Sequence, residues 1–212
     1  SAGLNNPILN VGKIRNSGVE VEINWADSKG GFDYNIGMNF STTKNKVVEL
    51  ADKGQVLYGE GLKYGTEHFP TQTRVGKPIG AFYLYKTNGL FQSNEEARQY
   101  VNADGDEYQP FADAGDIRFV DVNGDGSIDD DDKVYCGSGI PTLEVNLNFS
   151  AGYKGFDLSV VLGSAWGHKI YNGNKYFYEG MNSGSNFLTS SLNAWTPQNT
   201  NTNIPRAIFN DP

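Results

Sequence analysis

A single cysteine, Cys136, stands in 212 residues, so neither an internal disulfide framework nor a cysteine-based zinc centre can form. The lone thiol is expected to serve as a small apolar side chain, buried or half-buried. No run approaches the roughly 18 apolar residues of a transmembrane helix, and no secretory leader opens the sequence. The ends, Ser1-Ala2-Gly3 and Asn210-Asp211-Pro212, read as cut points. The chain is therefore expected to be a fragment, in which missing address signals say nothing about location. With 17 Lys and Arg against 25 Asp and Glu, the net charge is −8, and the basic residues form no run, so nucleic acid is not an expected partner. His68 and His168 lie far apart without a nucleophile pattern near either. Surface or packing roles are expected for both, and the chain is not expected to be an enzyme.

What is abundant points to strands. Twenty-six glycines and 13% aromatic residues favour sheet and turn over helix, and 38% hydrophobic residues suffice for one large or two small units. Val19, Val21, Ile23 and Trp25 alternate with Glu20, Glu22 and Asn24; after a turn at Ser28 to Gly31, Phe32, Tyr34, Ile36, Met38 and Phe40 alternate with polar residues. Period two over such lengths predicts a hairpin with one oily and one polar face. A second hairpin repeats the pattern: Leu143, Val145, Leu147, Phe149, Ala151 and Tyr153, a turn at Lys154-Gly155, then Phe156, Leu158, Val160 and Leu162. Strands of about ten residues, tilted as in a barrel, span about 25 Å, the height of an outer-membrane apolar band. Both short turns fall on one side and both long connections on the other, the pattern of a transmembrane β-barrel. Alternation by itself fits a soluble sandwich equally well.

The long connections carry features of their own. Ile79 to Lys86 reads as a strand, and Ser93-Asn94-Glu95-Glu96 as a capping box opening a helix through Val101, with Ala97, Tyr100 and Val101 on its apolar stripe. Asn186 to Trp195 reads as a short helix stopped by Thr196-Pro197. Between them, D-V-N-G-D-G-S-I-D-D-D-D from Asp121 to Asp132 has the spacing of a calcium loop. Asp121, Asn123, Asp125, the Ser127 carbonyl, Asp129 and Asp132 are the expected ligands, with Gly126 allowing the sharp turn. A solvated acidic turn is the plain alternative. The preceding Ile117-Arg118-Phe119-Val120 favours a strand over an entering helix, so a structural Ca2+ is expected rather than a sensor site. Trp166, Tyr171, Tyr176 and Tyr178 are candidates for stacking on a ligand such as a sugar, or else for anchoring a barrel rim.

These residues also form a familiar series. Gly115-Asp116-Ile117-Arg118-Phe119-Val120-Asp121-Val122-Asn123-Gly124-Asp125-Gly126, then Ile128-Asp129 and Gly137-Ser138-Gly139-Ile140-Pro141, resemble a block of the SusC/RagA-type TonB-linked outer-membrane proteins of Bacteroidetes. Asn148 to Ala151, Tyr153 to Ser159, Gly167 to Asn172, Gly12-Lys13 to Glu20 and Pro78-Ile79-Gly80 are similar to further segments of that family. The resemblance implies a mainly β fold, a C-terminal piece of a TonB-dependent-receptor barrel of roughly 22 strands, with an EF-hand/dockerin-like calcium loop and short helices in a loop insertion. It implies barrel hairpins over 1–50 and 143–166 and extracellular loop regions over 51–142 and 167–212. It also implies outer-membrane localisation, transport of an oligosaccharide or peptide, a SusD-like surface lipoprotein as partner, and TonB acting through a plug that this chain does not contain. The alternative is a secreted, calcium-stabilised β-module for adhesion or glycan binding. A cut piece of barrel is expected to pack its oily faces against its own loops or a second copy.

Overall fold

The computed structural model describes residues 12–64, 66–181 and 186–208, the side chains of 62–68 excepted. The chain forms two compact units. Within the described residues, 12–59, 71–81 and 137–170 make one; 60–64, 66–70, 82–136, 171–181 and 186–208 make the other.

In chain order the first four strands are β1 (Gly12–Ser17), β2 (Glu20–Lys29), β3 (Phe32–Thr42) and β4 (Lys44–Leu50). The turn between β2 and β3 is two residues long, Gly30-Gly31 with φ of +62° and +78°. Paired positive-φ residues match the right-handed twist of the flanking strands, which is why glycine occupies both. Short strands follow: β5 (Leu57–Tyr58), β6 (Leu62–Tyr64), β7 (Thr66–His68), β8 (Thr71–Thr73), β9 (Ala81–Leu84) and β10 (Thr87–Leu90). Helix α1 (Asn94–Arg98), β11 (Ile117–Phe119), a 3-10 turn at Asp130–Asp132 and β12 (Val134–Gly137) lead to the long pair β13 (Leu143–Tyr153) and β14 (Phe156–Trp166). Helix α2 (Gly173–Glu179) and a 3-10 turn at Thr189–Asn193 complete the list.

The first unit is built on a four-stranded antiparallel sheet of order β14-β13-β3-β2. The two hairpins therefore lie side by side, joined by the β3–β13 pairing from Phe32↔Tyr153 to Thr42↔Leu143. The turn between β13 and β14 is Lys154-Gly155, again with both φ positive, and the two turns sit at the same end. Beyond the sheet, β1 and β4 continue the first hairpin as a two-stranded ribbon. The β2–β3 register passes unshifted into it, through Thr42 N–H bonded to the Val19 carbonyl, until a bulge between Lys13 and Ile14. At the junction a Cβ on Gly18 would strike the Thr42 carbonyl oxygen, so only glycine admits so close a backbone approach. Residues 76–79 run along the free edge of β4: Val47 N–H bonds to the Lys77 carbonyl, Gly76 N–H to the Val47 carbonyl and Ile79 N–H to Asn45 Oδ1.

The second unit has a small core of Phe91, Ala97 and Ala112 with Tyr100 against it. Strands β10 and β11 pair beside it. Gly115, at φ +91°, lies under Trp195 and Arg206: a Cβ there would come within 2.5 Å of the indole. Arg206 closes this clamp with two bonds to Asp116, at 2.6 and 2.9 Å, and its N–H reaches the Gly115 carbonyl.

Several expectations change. The strand expected over Ile79–Lys86 is shorter, Ala81–Leu84, because Gly80 turns the chain at φ +58°. The helix opened by Ser93 stops at Arg98 rather than Val101; Tyr100 N–H falls back on the Ala97 carbonyl, and Val101 bridges to Glu107 instead. The helix expected over Asn186–Trp195 is a 3-10 turn, since Ala194 is extended at ψ 152° and Trp195 is drawn to Ile204. Cys136 is exposed, its strand presenting the side chain outward.

Candidate functional site

Paired residues of an antiparallel sheet share a face, so rows can be read from β2 to β14. Val21, Phe40, Val145, Ser164 form one row; Ile23, Met38, Leu147, Leu162 the next; Trp25, Ile36, Phe149, Val160 a third. On the other face the rows are Glu22, Asn39, Asn146, Gly163, then Asn24, Gly37, Asn148, Val161, then Ala26, Asn35, Ser150, Ser159. One face is hydrocarbon save for Ser164, and the other is mostly amide, hydroxyl and carboxylate, with Ala26 and Val161 among them. At the turn end of the apolar face stand Phe32, Tyr34, Tyr153 and Phe156, with the Phe32 ring 5.8 Å from Tyr34 and 6.3 Å from Tyr153. Trp166 and Phe40 stand toward the opposite rim of the same face. From Leu143 to Tyr153 the sheet measures about 34 Å along the strand, or about 25 Å when tilted as in a membrane barrel.

This apolar face is not packed away. Trp25 is 63% exposed and Trp166 61%, and Ile23, Met38, Leu158 and Leu162 are exposed with them. Of the two covers expected for the oily face, the chain's own loops or a second copy, the first is not seen among the described residues: the period-two strands leave these side chains open. Exposure on this scale marks a surface that meets something other than water.

The acidic loop lies in the second unit. Its carboxylates bind its own backbone. Asp121 accepts from Gly124 N–H at 2.6 Å, Gly126 N–H at 2.9 Å and the Tyr108 hydroxyl at 3.2 Å. Asn123 accepts from Asp125 N–H, Asp125 from Ser127 N–H, and Asp129 caps the 3-10 turn through Asp131 N–H. Asp132, with no exposed surface, takes Val122 N–H at 2.7 Å, Asn123 N–H at 3.3 Å and Asp129 N–H at 2.8 Å. Burial pushes the Asp121 carboxyl up, but the Gly126 and Gly124 N–H groups and the Tyr108 hydroxyl outweigh it and hold it below the usual value. Tyr85 is pushed up to about 12 by burial and then by Asp130, to which its hydroxyl donates. Among the described residues no three His, Cys, Asp or Glu side chains are grouped to hold a metal ion. The oxygens expected as calcium ligands accept from local N–H groups.

The four aromatic candidates separate. Trp166 belongs to the apolar face of β14. Tyr171 stacks on Phe82, rings 6.4 Å apart at 27°, and burial raises its hydroxyl's pKa. Tyr176 meets Phe177 edge to face, and Tyr178 is half exposed while its carbonyl holds Leu188 N–H. His168 is near Ser138, where the Lys169 N–H binds the Ser138 carbonyl; the His68 side chain lies outside the described residues.

Two-faced strands of membrane height have counterparts among known proteins. TonB-dependent receptor P3 of Formosa agariphila is 30% identical over 207 residues, which is 97% of this chain and 20% of that receptor. TonB-dependent receptor P26 of the same organism is 30% identical over 211 residues, again 97% of this chain and 20% of the receptor. The chain is homologous to part of the TonB-dependent receptors. It spans about a fifth of the length of these relatives. TonB-dependent receptor SusC of Bacteroides thetaiotaomicron is 23% identical over 188 residues, 86% of this chain and 16% of SusC. A solved structure of the RagAB peptide transporter matches with a TM-score of 0.65 at 20% identity, over 93% of this chain and 20% of that one, a likeness of fold. No protein-family model matches.

In this chain the residues invisible to sequence reasoning are those that act across distance. Asn102 Nδ2 holds the Gly126 carbonyl at 3.0 Å and Tyr108 holds Asp121, yet neither shares a motif with the acidic loop. Asp116 and Arg206 meet across 90 residues. For the β1–β4 ribbon a signal did exist: Lys44, Lys46 and Lys13, Arg15 each alternate with apolar or amide residues.

Proposed function

We propose that the chain forms part of the barrel wall and the extracellular loops of an outer-membrane, TonB-dependent nutrient importer. Its cargo is an oligosaccharide or a peptide, taken up with a SusD-like surface lipoprotein and with energy delivered through TonB to a plug. The observation that carries the wall assignment is the four-strand register, which gathers the apolar side chains on one exposed face about 25 Å high with aromatic residues toward both rims. The kinship with TonB-dependent receptors supports the transport assignment. Cysteine scanning after Cys136→Ser tests it in lipid-reconstituted protein. Cysteines replacing Ile23, Met38 or Leu147 should react with a lipid-soluble maleimide and resist a charged one; those replacing Asn24, Asn39 or Asn146 should do the reverse. Equal reaction of both sets with the charged reagent would discard the membrane wall.

A structural calcium ion in the Asp121–Asp132 loop is a second reading, favoured by the ligand spacing and by Gly126 at φ +93° in the turn position. Asp121 Oδ1, both oxygens of Asp125 and Asp132 Oδ2 each serve one donor and keep a second lone pair, so the same loop could coordinate an ion after contracting. Titration calorimetry should then show calcium binding in the millimolar range or tighter, lost in Asp125→Asn/Asp132→Asn; absence of heat and of any thermal shift would remove the ion.

A further inference from the structure

The ribbon that continues the first hairpin carries a charge pattern that its own stability opposes. Arg15 and Lys46 are directly paired across the strands, Ser17 pairs with Lys44, and Lys13 follows Arg15 on the same side. All four basic side chains are exposed. Directly opposed like charges weaken a ladder, and among the described residues none of the four has an ion-pair partner, although Glu49 faces Lys13 across the bulge. This occurs in a chain of net charge −8.

The register tells which way the four side chains face. Because it runs unshifted from β2–β3 into β1–β4, the Ser17/Lys44 and Arg15/Lys46 pairs continue the side that bears Val21/Phe40 and Ile23/Met38. The opposite side of the ribbon carries Ile14/Val47 and the Asn16–Asn45 amide pair; there Val47 is buried and Asn45 Oδ1 takes the Ile79 N–H. Arg15 lies six residues beyond Val21, about 20 Å along the strand. Hydrocarbon thus gives way to positive charge on one continuous outer side, just past the rim away from the short turns.

We propose that Lys13, Arg15, Lys44 and Lys46 bind the phosphate groups of lipid headgroups in the leaflet at that rim. The proposal rests on the reading of the apolar face as membrane-facing. A phosphate seated between Arg15 and Lys46 relieves their repulsion, the guanidinium giving two parallel N–H bonds and the ammonium a point charge. Charge complementarity and continuity with the apolar band select a lipid over other anions.

The test places the full chain in nanodiscs of phosphatidylcholine with a minority of phosphatidylglycerol and measures lipids retained by native mass spectrometry. Quenching of Trp25 and Trp166 by brominated acyl chains is recorded alongside. Basic side chains near an anionic surface change affinity by roughly fivefold each, so the wild type should hold phosphatidylglycerol over phosphatidylcholine about tenfold or more at low salt. The variant K13Q/R15Q/K44Q/K46Q, and more mildly R15Q/K46Q, should fall toward parity with tryptophan quenching unchanged. Quenching without any phosphatidylglycerol preference, or a preference that survives in a variant that still quenches, overturns the headgroup site alone. Absence of quenching in the wild type overturns the membrane-facing reading and the headgroup site together.

Discussion

Asp132 is a carboxylate with no exposed surface, tolerated because three backbone N–H groups converge on it. Replacing it with alanine strips all three donors of their acceptor inside the fold, and the expected loss is about 3 kcal/mol of stability. Urea denaturation of wild type and Asp132→Ala in the same detergent measures it, and a change below about 0.5 kcal/mol would contradict this role. Asp132→Asn should lose less, since its remaining oxygen still serves Val122. Residue identities at the loop could be read from the sequence, as spacing fixes which side chains recur. Their direction could not, because an Asp or Asn can turn to a metal or to an N–H two residues on with equal ease. Asn102 and Tyr108 were hidden for a different reason: they join the loop through space only.

At the level of elements, the four long strands were plain in the sequence because a half-buried or half-lipid strand must alternate. Short elements were less so. Helix α1 and the 3-10 turn at Thr189–Asn193 end where tertiary bonds capture Tyr100, Val101 and Trp195, and no local propensity encodes that. The acidic loop, taken as one element, has a pH response set by its first residue. The Asp121 carboxyl lies below its ordinary value of 3.8, so its contribution is complete above that pH and is lost as pH falls through the lowered folded value. The amide resonances of Gly124 and Gly126 should therefore hold their shifts to below pH 3.8 and then move together; movement centred above that value would show that their bonds to Asp121 do not form.

For the molecule as a whole, the sequence divides into hairpins and loop regions, whereas the compact units cut across that division. Residues 71–81 belong with the long strands although they lie in the first long connection, because Lys77, Gly76 and Ile79 bond to the ribbon strand β4. The basic side was concealed by the same long-range logic. Lys13 and Arg15 are separated from Lys44 and Lys46 by the whole first hairpin, so no basic run exists until β1 and β4 pair.

The unbroken register through Gly18 and Thr42 has an evolutionary consequence. Which face of the sheet a side chain takes, the apolar or the polar, is fixed by whether its position is odd or even along the strand. Inserting or deleting one residue within β2 would exchange the two faces for every residue beyond it, carrying Lys13 and Arg15 to the polar side and their neighbours to the apolar one. Length changes in these strands should therefore be accepted in pairs, or confined to the two-residue turns and the bulge beside Lys13, where parity can be reset.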